Sequence, residues 1–292
     1  MTGIPASGAH GGDGPSIGRA LGIDVLDLSQ SLNPFAPDVV GIVARHAAAV
    51  GVYPDPADAT TLLAETLGVA ADRLLVTNGG SEAIHLVATE LGGTVASEPE
   101  FSLHPRGSGP VWRSDPHNPS GRLAPADLEA EVWDEAFYPL ATGRWHGHRA
   151  GVTVGSLTKL FACPGLRLGY VIADDVERFA RRQPAWSVNS LALAALPELL
   201  PAAEPTAWCA AIGEARRSLT EALTDRGLTV DAADGPWVLV HAPGLRDRLA
   251  PQGVAVRDCA SFGMAGWHRI AVPDDAGRAR LLDALDGIDR SA

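Results

Sequence analysis

The chain has 292 residues, a formal net charge of −12 at pH 7 and 46% hydrophobic residues. This acidic balance argues against a nucleic-acid partner, because phosphate backbones select basic protein surfaces. The sequence shows neither the roughly 20 consecutive apolar residues that a membrane span needs nor a basic, apolar-cored leader. Its three cysteines are far apart and its nine histidines lack metal-ligand spacing, so we predict neither a disulfide framework nor a metal site. We expect a soluble cytoplasmic protein with one large and one smaller domain.

The N-terminal part carries polar motifs rather than long apolar runs. In chain order these motifs are His10-Gly11-Gly12-Asp13, Leu26-Asp27-Leu28-Ser29, Asn33-Pro34 and Tyr53-Pro54-Asp55-Pro56.

A predicted strand at Leu74-Leu75-Val76 opens onto Gly79-Gly80-Ser81-Glu82 and an apolar-periodic helix. Glycines let the backbone approach an anion closely, and the free N–H groups at a helix start favour negative charge. The segment therefore predicts a phosphate-binding turn, with Ser81 as the candidate N-cap.

Polar residues then surround a short buried strand in the middle of the chain. The motifs are Pro99-Glu100-Phe101, Asp115-Pro116-His117-Asn118-Pro119 and Val132-Trp133-Asp134, with a helix predicted over Ala124–Glu131. A carboxylate at the end of a buried strand is costly unless it is paired. Asp134 is therefore a candidate functional acid, with a plain strand-end cap as the alternative.

One lysine, Lys159, stands against 22 arginines in the whole chain. Because arginine stands at every other position of this basic type, the retained lysine indicates that arginine cannot substitute at position 159. Imine formation with an aldehyde has this requirement, because an ε-amine can lose its proton whereas a guanidinium stays protonated and is a poor nucleophile. The alternative is a lysine that survived on an exposed face.

The spacing around Lys159 resembles that of the pyridoxal-phosphate enzymes of the aspartate-aminotransferase fold. Ser156, Lys159 and Arg167 stand at −3, 0 and +8. The resemblance implies that Lys159 holds the aldehyde of pyridoxal 5′-phosphate as a Schiff base, while Ser156 and Arg167 bind its phosphate. It also implies an α/β protein of fold type I, with a mostly parallel central sheet in a large domain and a small α+β domain.

The same resemblance assigns further cofactor contacts along the chain. It implies that Asp134 pairs with the pyridinium nitrogen, which keeps the ring an electron sink. Asn118 bonds the 3-hydroxyl, Phe101 stacks on the ring, and Tyr53 reaches the cofactor phosphate of the other subunit in a homodimer. The full set of implied cofactor residues is Tyr53, Gly80, Ser81, Glu82, Phe101, Asn118, Asp134, Ser156, Lys159 and Arg167, of which Lys159 and Asp134 are catalytic.

The C-terminal region resembles the substrate-binding side of the family. Arg269, in Trp267-His268-Arg269-Ile270, inherits the role of holding the substrate α-carboxylate, to which a guanidinium fork binds bidentately. Arg257 resembles a position that binds the phosphate of phosphorylated amines. The other implied substrate-side residues are His10, Gly11, Asn33 and Asn189.

Three motifs narrow the subfamily: the His10 to Asp13 opening, Asp134-Glu135-Ala136-Phe137 and Trp186-Ser187-Val188-Asn189. They are similar to the threonine-phosphate decarboxylases of cobalamin biosynthesis, whereas related histidinol-phosphate aminotransferases tend to carry tyrosine where Phe137 stands. The resemblance thus implies decarboxylation of L-threonine O-3-phosphate to (R)-1-amino-2-propanol O-2-phosphate. The alternatives are an aminotransferase acting on histidinol phosphate and a trimmed, non-catalytic protein of the same fold.

The predicted organisation is an N-terminal arm (1–38), a large cofactor-binding domain (39–185) and a small C-terminal domain (186–292). The region between residues 101 and 134 is shorter than is usual in the family, so we expect retained chemistry with an altered substrate fit. Alanine-rich and apolar-periodic segments predict helices over Ser190–Leu200, Ala207–Arg226 and Ala276–Leu285.

Overall fold

The computed structural model describes residues 3–8 and 10–289, which form helices, one larger sheet and one smaller sheet. The α-helices are α1 Gly14–Leu21, α2 Val39–Arg45, α3 Ala57–Leu67, α4 Gly79–Leu91, α5 Tyr138–Thr142, α6 Leu157–Leu160, α7 Glu177–Ala180, α8 Ser190–Leu199, α9 Pro205–Thr224, α10 Leu245–Leu249 and α11 Asp275–Asp289. The strands are β1 Leu26–Asp27, β2 Leu74–Asn78, β3 Thr94–Val95, β4 Val111–Ser114, β5 Val132–Asp134, β6 Val152–Ser156, β7 Leu168–Ile172, β8 Thr229–Ala232, β9 Trp237–His241, β10 Val254–Ala255, β11 Arg257–Asp258 and β12 Trp267–Ala271.

The larger sheet has the strand order β2-β7-β6-β5-β4-β3. Strands β3 to β6 run parallel, whereas β7 is antiparallel to both β6 and β2. Strands β2, β4, β5 and β6 therefore end at the same edge of the sheet, which brings the residues that follow them together. This arrangement confirms the predicted α/β class with a mostly parallel central sheet.

The smaller sheet is antiparallel, with the order β11-β12-β9-β8. Its register places Arg257 opposite Arg269 and Asp258 opposite His268. Because side chains alternate between the two faces of a strand, the two arginines share one face of this sheet. A short parallel ladder between β1 and β10 connects the N-terminal arm to this part of the molecule.

Helices cover both faces of the larger sheet. On one face, α3 and α8 contribute the buried side chains of Leu63 and Leu196. On the other face, α4 and α7 contribute Val87 and Phe179. A second core, which includes Val238, packs against the smaller sheet.

Helix α9 belongs to both cores. Trp208 and Ile212 pack with the helices of the larger sheet, and Leu219 and Leu223 pack with the strands of the smaller sheet. With 20 residues, the helix is roughly 30 Å long at about 1.5 Å per residue. One continuous helix thus runs from the first core into the second.

Three of the predicted helices are confirmed as α8, α9 and α11. The helix predicted over Ala124–Glu131 is wrong, because this segment has an irregular backbone. Its two ends are held elsewhere: Ala124 N–H donates to Asp115 Oδ1 at 2.8 Å, and Glu131 N–H donates to Val111 O at 3.0 Å. Too few residues remain between these attachments for a helix as well as the connection from β4 to β5.

No helix in the part of the chain that the structure describes is long and apolar enough to cross a bilayer. The division of the chain after residues 38 and 185 stays a prediction.

Candidate active site

A cavity of about 290 Å³ opens between the edge of the larger sheet and the arginine-bearing face of the smaller one. Ser114, Asp134 and Ser156, the last residues of β4, β5 and β6, contribute to its wall. The predicted site residues that line it are His10, Gly80, Ser81, Phe101, Asn118, Asp134, Ser156, Lys159, Arg167, Arg257 and Arg269. Residues distant in the sequence therefore meet in one cavity.

Lys159 lies in the short helix α6, directly after β6. Its Nζ donates to Gln30 O at 3.3 Å and lies 5.8 Å from the centre of the Phe137 ring. Burial of the amine, reinforced by the positive charges of Arg269 and Arg167, lowers the pKa of Lys159 to about 8. About one tenth of the amine is then neutral at pH 7, and the neutral amine is the nucleophilic form.

The part of the cavity wall formed by the start of α4 is suited to binding an anion. Gly80 and Ser81 lie in the first turn of α4, where N–H groups are free of intrahelical partners and the helix dipole favours negative charge. Arg167 adds a cation there and donates from Nη2 to Ser81 Oγ at 2.9 Å. These groups surround one end of the cavity with hydrogen-bond donors.

A positive φ favours glycine at the start of α4, and close backbone packing favours glycine at the facing position in β7. Gly79 has φ +77°, and a Cβ on it would lie 2.5 Å from Nη2 of Arg167. A Cβ on Gly169 of β7 would lie 2.4 Å from the carbonyl carbon of Gly79. The prediction that Ser81 is the N-cap is wrong, because α4 begins two residues earlier and Asn78 occupies the cap position.

Asp134 is buried and paired, as its position at a strand end requires. Its Oδ1 accepts from Ala136 N–H at 3.0 Å, and its Oδ2 lies 3.0 Å from Nε2 of His104. The His104 side chain is fully buried, and its Nδ1 lies 3.9 Å from Oε1 of Glu100. The sequence analysis missed His104, because only the fold brings it beside a residue 30 positions away, and it therefore also missed Glu100, the neighbour of His104.

Arg269 is held rigidly at the other end of the cavity. Its Nη1 donates to Asn118 Oδ1 at 2.9 Å, and its guanidinium lies 4.8 Å from the centre of the Trp237 ring. Burial, followed by repulsion from Arg257, lowers the pKa of Arg269 to about 9. Trp237 Nε1 donates to Pro119 O at 2.8 Å, so one tryptophan supports both the arginine and the loop that carries Asn118.

Arg257 faces the same cavity from the neighbouring strand. Its Nη1 donates to His10 O at 3.1 Å, and its guanidinium lies 4.5 Å from the centre of the Phe262 ring. Desolvation lowers the pKa of Arg257, and burial followed by the Arg257 charge lowers the pKa of His10. Two buried guanidinium groups thus produce a local positive field within an acidic protein.

Five predicted site residues lie outside the described lining of this cavity. Glu82 accepts from Asn78 N–H at 2.6 Å, and Asn33 donates from Nδ2 to Leu160 O at 2.9 Å. Asn189 caps α8 by accepting from Ala192 N–H at 2.8 Å. The other two of the five residues are Gly11 and Tyr53.

Gly11 and Tyr53 occupy different surroundings. Gly11 has φ +78°, and a Cβ on it would lie 2.4 Å from Ser29 O. Tyr53 is 79% exposed, and its ring centre lies 4.8 Å from that of Trp186, which is 64% exposed. The two aromatic rings form an exposed apolar surface, which we call the Tyr53 surface.

The sequence matches the family model for aminotransferase class I and II over residues 111–285. Among curated proteins, the chain is 26% identical to histidinol-phosphate aminotransferase 1 of Dechloromonas aromatica, with 92% of each chain covered. It is 34% identical to a threonine-phosphate decarboxylase of Sinorhizobium sp. over 59% of this chain and 57% of that protein. The match to the decarboxylase thus has a higher sequence identity than the match to the aminotransferase, but it covers a smaller part of the chain.

Solved structures share the fold. Histidinol-phosphate aminotransferase from Sinorhizobium meliloti, in complex with pyridoxal-5′-phosphate, matches with a TM-score of 0.78 and 18% identity over 95% of this chain and 94% of that one. L-threonine-O-3-phosphate decarboxylase from Porphyromonas gingivalis matches with a TM-score of 0.76 and 20% identity, covering 90% and 99%. These matches confirm the predicted fold, and the family match confirms the predicted enzyme class and cofactor. The chain belongs to the aminotransferase class I and II family, the enzymes of which depend on pyridoxal 5′-phosphate.

Proposed function

We propose that this enzyme decarboxylates L-threonine O-3-phosphate to (R)-1-amino-2-propanol O-2-phosphate, a reaction of cobalamin biosynthesis. The observation that carries the proposal is the pair of buried arginines, Arg257 and Arg269, on adjacent strands of one sheet face. Directly opposite residues of antiparallel strands have Cβ atoms about 4.5–5.5 Å apart. Such a pair suits a compact substrate that carries a carboxylate and a phosphate on neighbouring carbons.

The cavity fits the cofactor that the family uses. We propose that Gly80, Ser81, Ser156 and Arg167 hold its phosphate, because the start of α4 offers free N–H groups that no side chain at Gly79 obstructs. Asn118 and Phe101 are proposed to contact the ring, and Asp134 its nitrogen. When bound, pyridoxal phosphate supplies an aldehyde for covalent attachment and a conjugated ring that takes up electrons from a bond at the substrate α-carbon.

Lys159 is the group that we propose moves the proton. Its lowered pKa makes a neutral amine available near physiological pH, so Nζ can accept a proton or deliver one to the α-carbon. The hydrogen bond to Gln30 O attaches the amine to the N-terminal part of the chain. One side chain can therefore serve both covalent attachment and proton transfer.

Arg269 is proposed to orient the α-carboxylate. Orientation matters because the direction in which the α-carboxylate is held would decide which bond of the α-carbon breaks, and small displacements change the outcome. Asn118 and Trp237 fix the guanidinium of Arg269 from two sides, which suits a group that selects between loss of carbon dioxide and loss of a proton. Arg257 and His10 are then proposed to bind the distal phosphate of the substrate.

The second candidate is a histidinol-phosphate aminotransferase, because relatives of that name match over nine-tenths of the chain. Histidinol phosphate has one anionic group, so it uses one arginine of the pair. An aminotransferase would use both for a dicarboxylic amino donor or acceptor, such as 2-oxoglutarate. Phe137 stands where a tyrosine is expected for this candidate.

Product analysis by NMR tests the proposal. Cofactor-loaded protein is mixed with L-threonine O-phosphate, and aminopropanol phosphate is expected, but not with the Lys159→Ala variant. If threonine phosphate is untouched and histidinol phosphate with 2-oxoglutarate yields glutamate, the aminotransferase proposal replaces it. A covalently held cofactor without turnover of either substrate would favour the non-catalytic alternative.

We also propose a cytoplasmic homodimer in which the Tyr53 surface is covered by the second copy. Tyr53 and Trp186 are large apolar side chains exposed to water, together with Val40, Val50 and Val52. Exposed apolar patches of this kind mark interaction sites. Sedimentation analysis should find a dimer that Trp186→Asp converts to a monomer; a wild-type monomer would contradict the proposal.

A further inference from the structure

We propose that Arg246 is a positioning residue for substrate binding. Through a buried ion pair with Asp13, it holds residues 10–13, which we call the His10 segment, over the cavity. Arg246 itself is not among the described residues that line the cavity, so it acts through this segment. The inference rests on the proposed use of His10 and Arg257 for the substrate phosphate.

The Asp13 carboxylate is the point at which the His10 segment is fixed. Gly8 N–H donates to both of its oxygens, at 3.1 and 3.2 Å. On the other side, Gly12 N–H donates to Ser29 Oγ at 2.7 Å. His10 lies between these attachments and lines the cavity. The position of Asp13 therefore determines where His10 stands.

Arg246 connects this carboxylate to α10, which packs against the smaller sheet. The arginine lies in α10, its side chain is 5% exposed, and Nη2 donates to Asp13 Oδ2 at 3.3 Å and to Pro5 O at 2.8 Å. A buried ion pair generally adds little stability relative to apolar packing, but removing one partner leaves an uncompensated buried charge. Such a pair is consequently better suited to fixing a geometry than to stabilising the core.

The contacts of Arg246 and Asp13 also affect the proposed substrate side of the cavity, because the His10 segment touches Arg257. His10 O accepts from Arg257 Nη1, so the His10 segment rests on the arginine that we propose binds the distal phosphate. Arg246 lies in α10 and Arg257 in β11, and they contact the N-terminal residues Pro5 and His10. Loss of the Arg246 contact would let His10 move relative to Arg257 without touching Lys159 or the start of α4.

The test compares Arg246→Met with Arg248→Met, which removes an exposed arginine of the same helix. Hydrogen exchange of the His10 segment, followed by mass spectrometry, should be at least about tenfold faster in Arg246→Met and unchanged in Arg248→Met. L-Threonine O-phosphate should slow this exchange in the wild type and in Arg248→Met, but not in Arg246→Met. KM should rise about tenfold, with kcat within about twofold and cofactor attachment intact.

Arg246→Lys retains the charge and should restore part of the protection. If Arg246→Met does not fold, Asp13→Asn replaces it, because the amide oxygen can still accept from Gly8 N–H while the charge is lost. Unchanged exchange, or equal losses of kcat and of cofactor, would overturn the inference. If the wild type does not turn over threonine phosphate, the proposed function fails, whereas the exchange measurements still decide the role of Arg246.

Discussion

The two sides of the cavity are built differently. On the side of the larger sheet, the functional groups follow strand ends directly, and glycines determine how closely the backbone segments approach. On the side of the smaller sheet, His10, Arg257 and Arg269 come from opposite ends of the chain and are held by side-chain contacts. Strand ends and glycines thus place most groups of the proposed cofactor side, with added long-range contacts from Arg167 and His104, whereas side-chain contacts between distant residues define the proposed substrate side.

This comparison predicts that variants on the cofactor side lose attachment and turnover, and variants on the substrate side lose affinity. The largest effect is expected for Lys159→Arg, which keeps the positive charge but removes the nucleophilic amine. Turnover should fall at least about 10³-fold, within the range ascribed to general acid–base groups. Mass spectrometry after borohydride reduction should find no covalent adduct of cofactor mass. An adduct in this variant would contradict the role of Lys159.

Asp134→Asn should have the next largest effect. The amide retains the shape but removes the charge proposed to face the ring nitrogen, so kcat should fall by about 10²–10³-fold, as for loss of one preorganised electrostatic contact. His104→Gln serves as the matched variant, because it removes the side chain that pairs with Asp134 but leaves the carboxylate. Equal effects of the two variants would indicate that the pair acts as a unit.

Arg269→Lys should weaken substrate binding while leaving the cofactor attached. A lysine cannot reproduce the bidentate fork, and charge-assisted hydrogen bonds contribute about 1.5–3 kcal/mol each, which corresponds to roughly a tenfold to hundredfold loss in kcat/KM. Steady-state kinetics measure this change, and Arg257→Lys tests the partner arginine. Loss of the cofactor in either variant would remove the distinction between the two sides.

The smallest expected effect is on the pH dependence of cofactor capture by Lys159. It links the two sides of the cavity, because Arg269 influences the pKa of Lys159. The neutral form of Lys159 captures the aldehyde, and its pKa of about 8 means that this form is scarce below pH 8 and predominant above it. The rate of covalent cofactor capture by the apoprotein should therefore rise with pH and level off above about 8. Because the Arg269 charge lowers this pKa, Arg269→Met should move the midpoint upward. Stopped-flow mixing over a pH series measures both midpoints.

The difference between the two sides also explains what could be predicted from the sequence. Lys159, Asp134 and Arg167 lie in short motifs whose spacing reflects strand ends and turns, and the structure brings them together. His104 was missed, since its contact with Asp134 depends on the packing of a loop that no periodicity marks. Asn189 was predicted on the substrate side, yet its side chain caps a helix, a use that the same residue type serves equally well.

The path of the chain between β4 and β5 could not be predicted from the local sequence. The expected helix over Ala124–Glu131 rested on the room that the short stretch from Gly121 to Asp134 leaves, whereas the structure uses these residues to connect β4 with β5 by an irregular path. The length of a segment does not determine whether it forms a helix. The strand-end residues on either side of it keep their places at the edge of the sheet.

Helix α9 affects how this protein unfolds. Because one helix supplies buried side chains to both cores, neither core can lose its packing without exposing apolar surface in the other. We therefore expect these two cores to unfold together, and a cut or insertion within the helix to destabilise both at once.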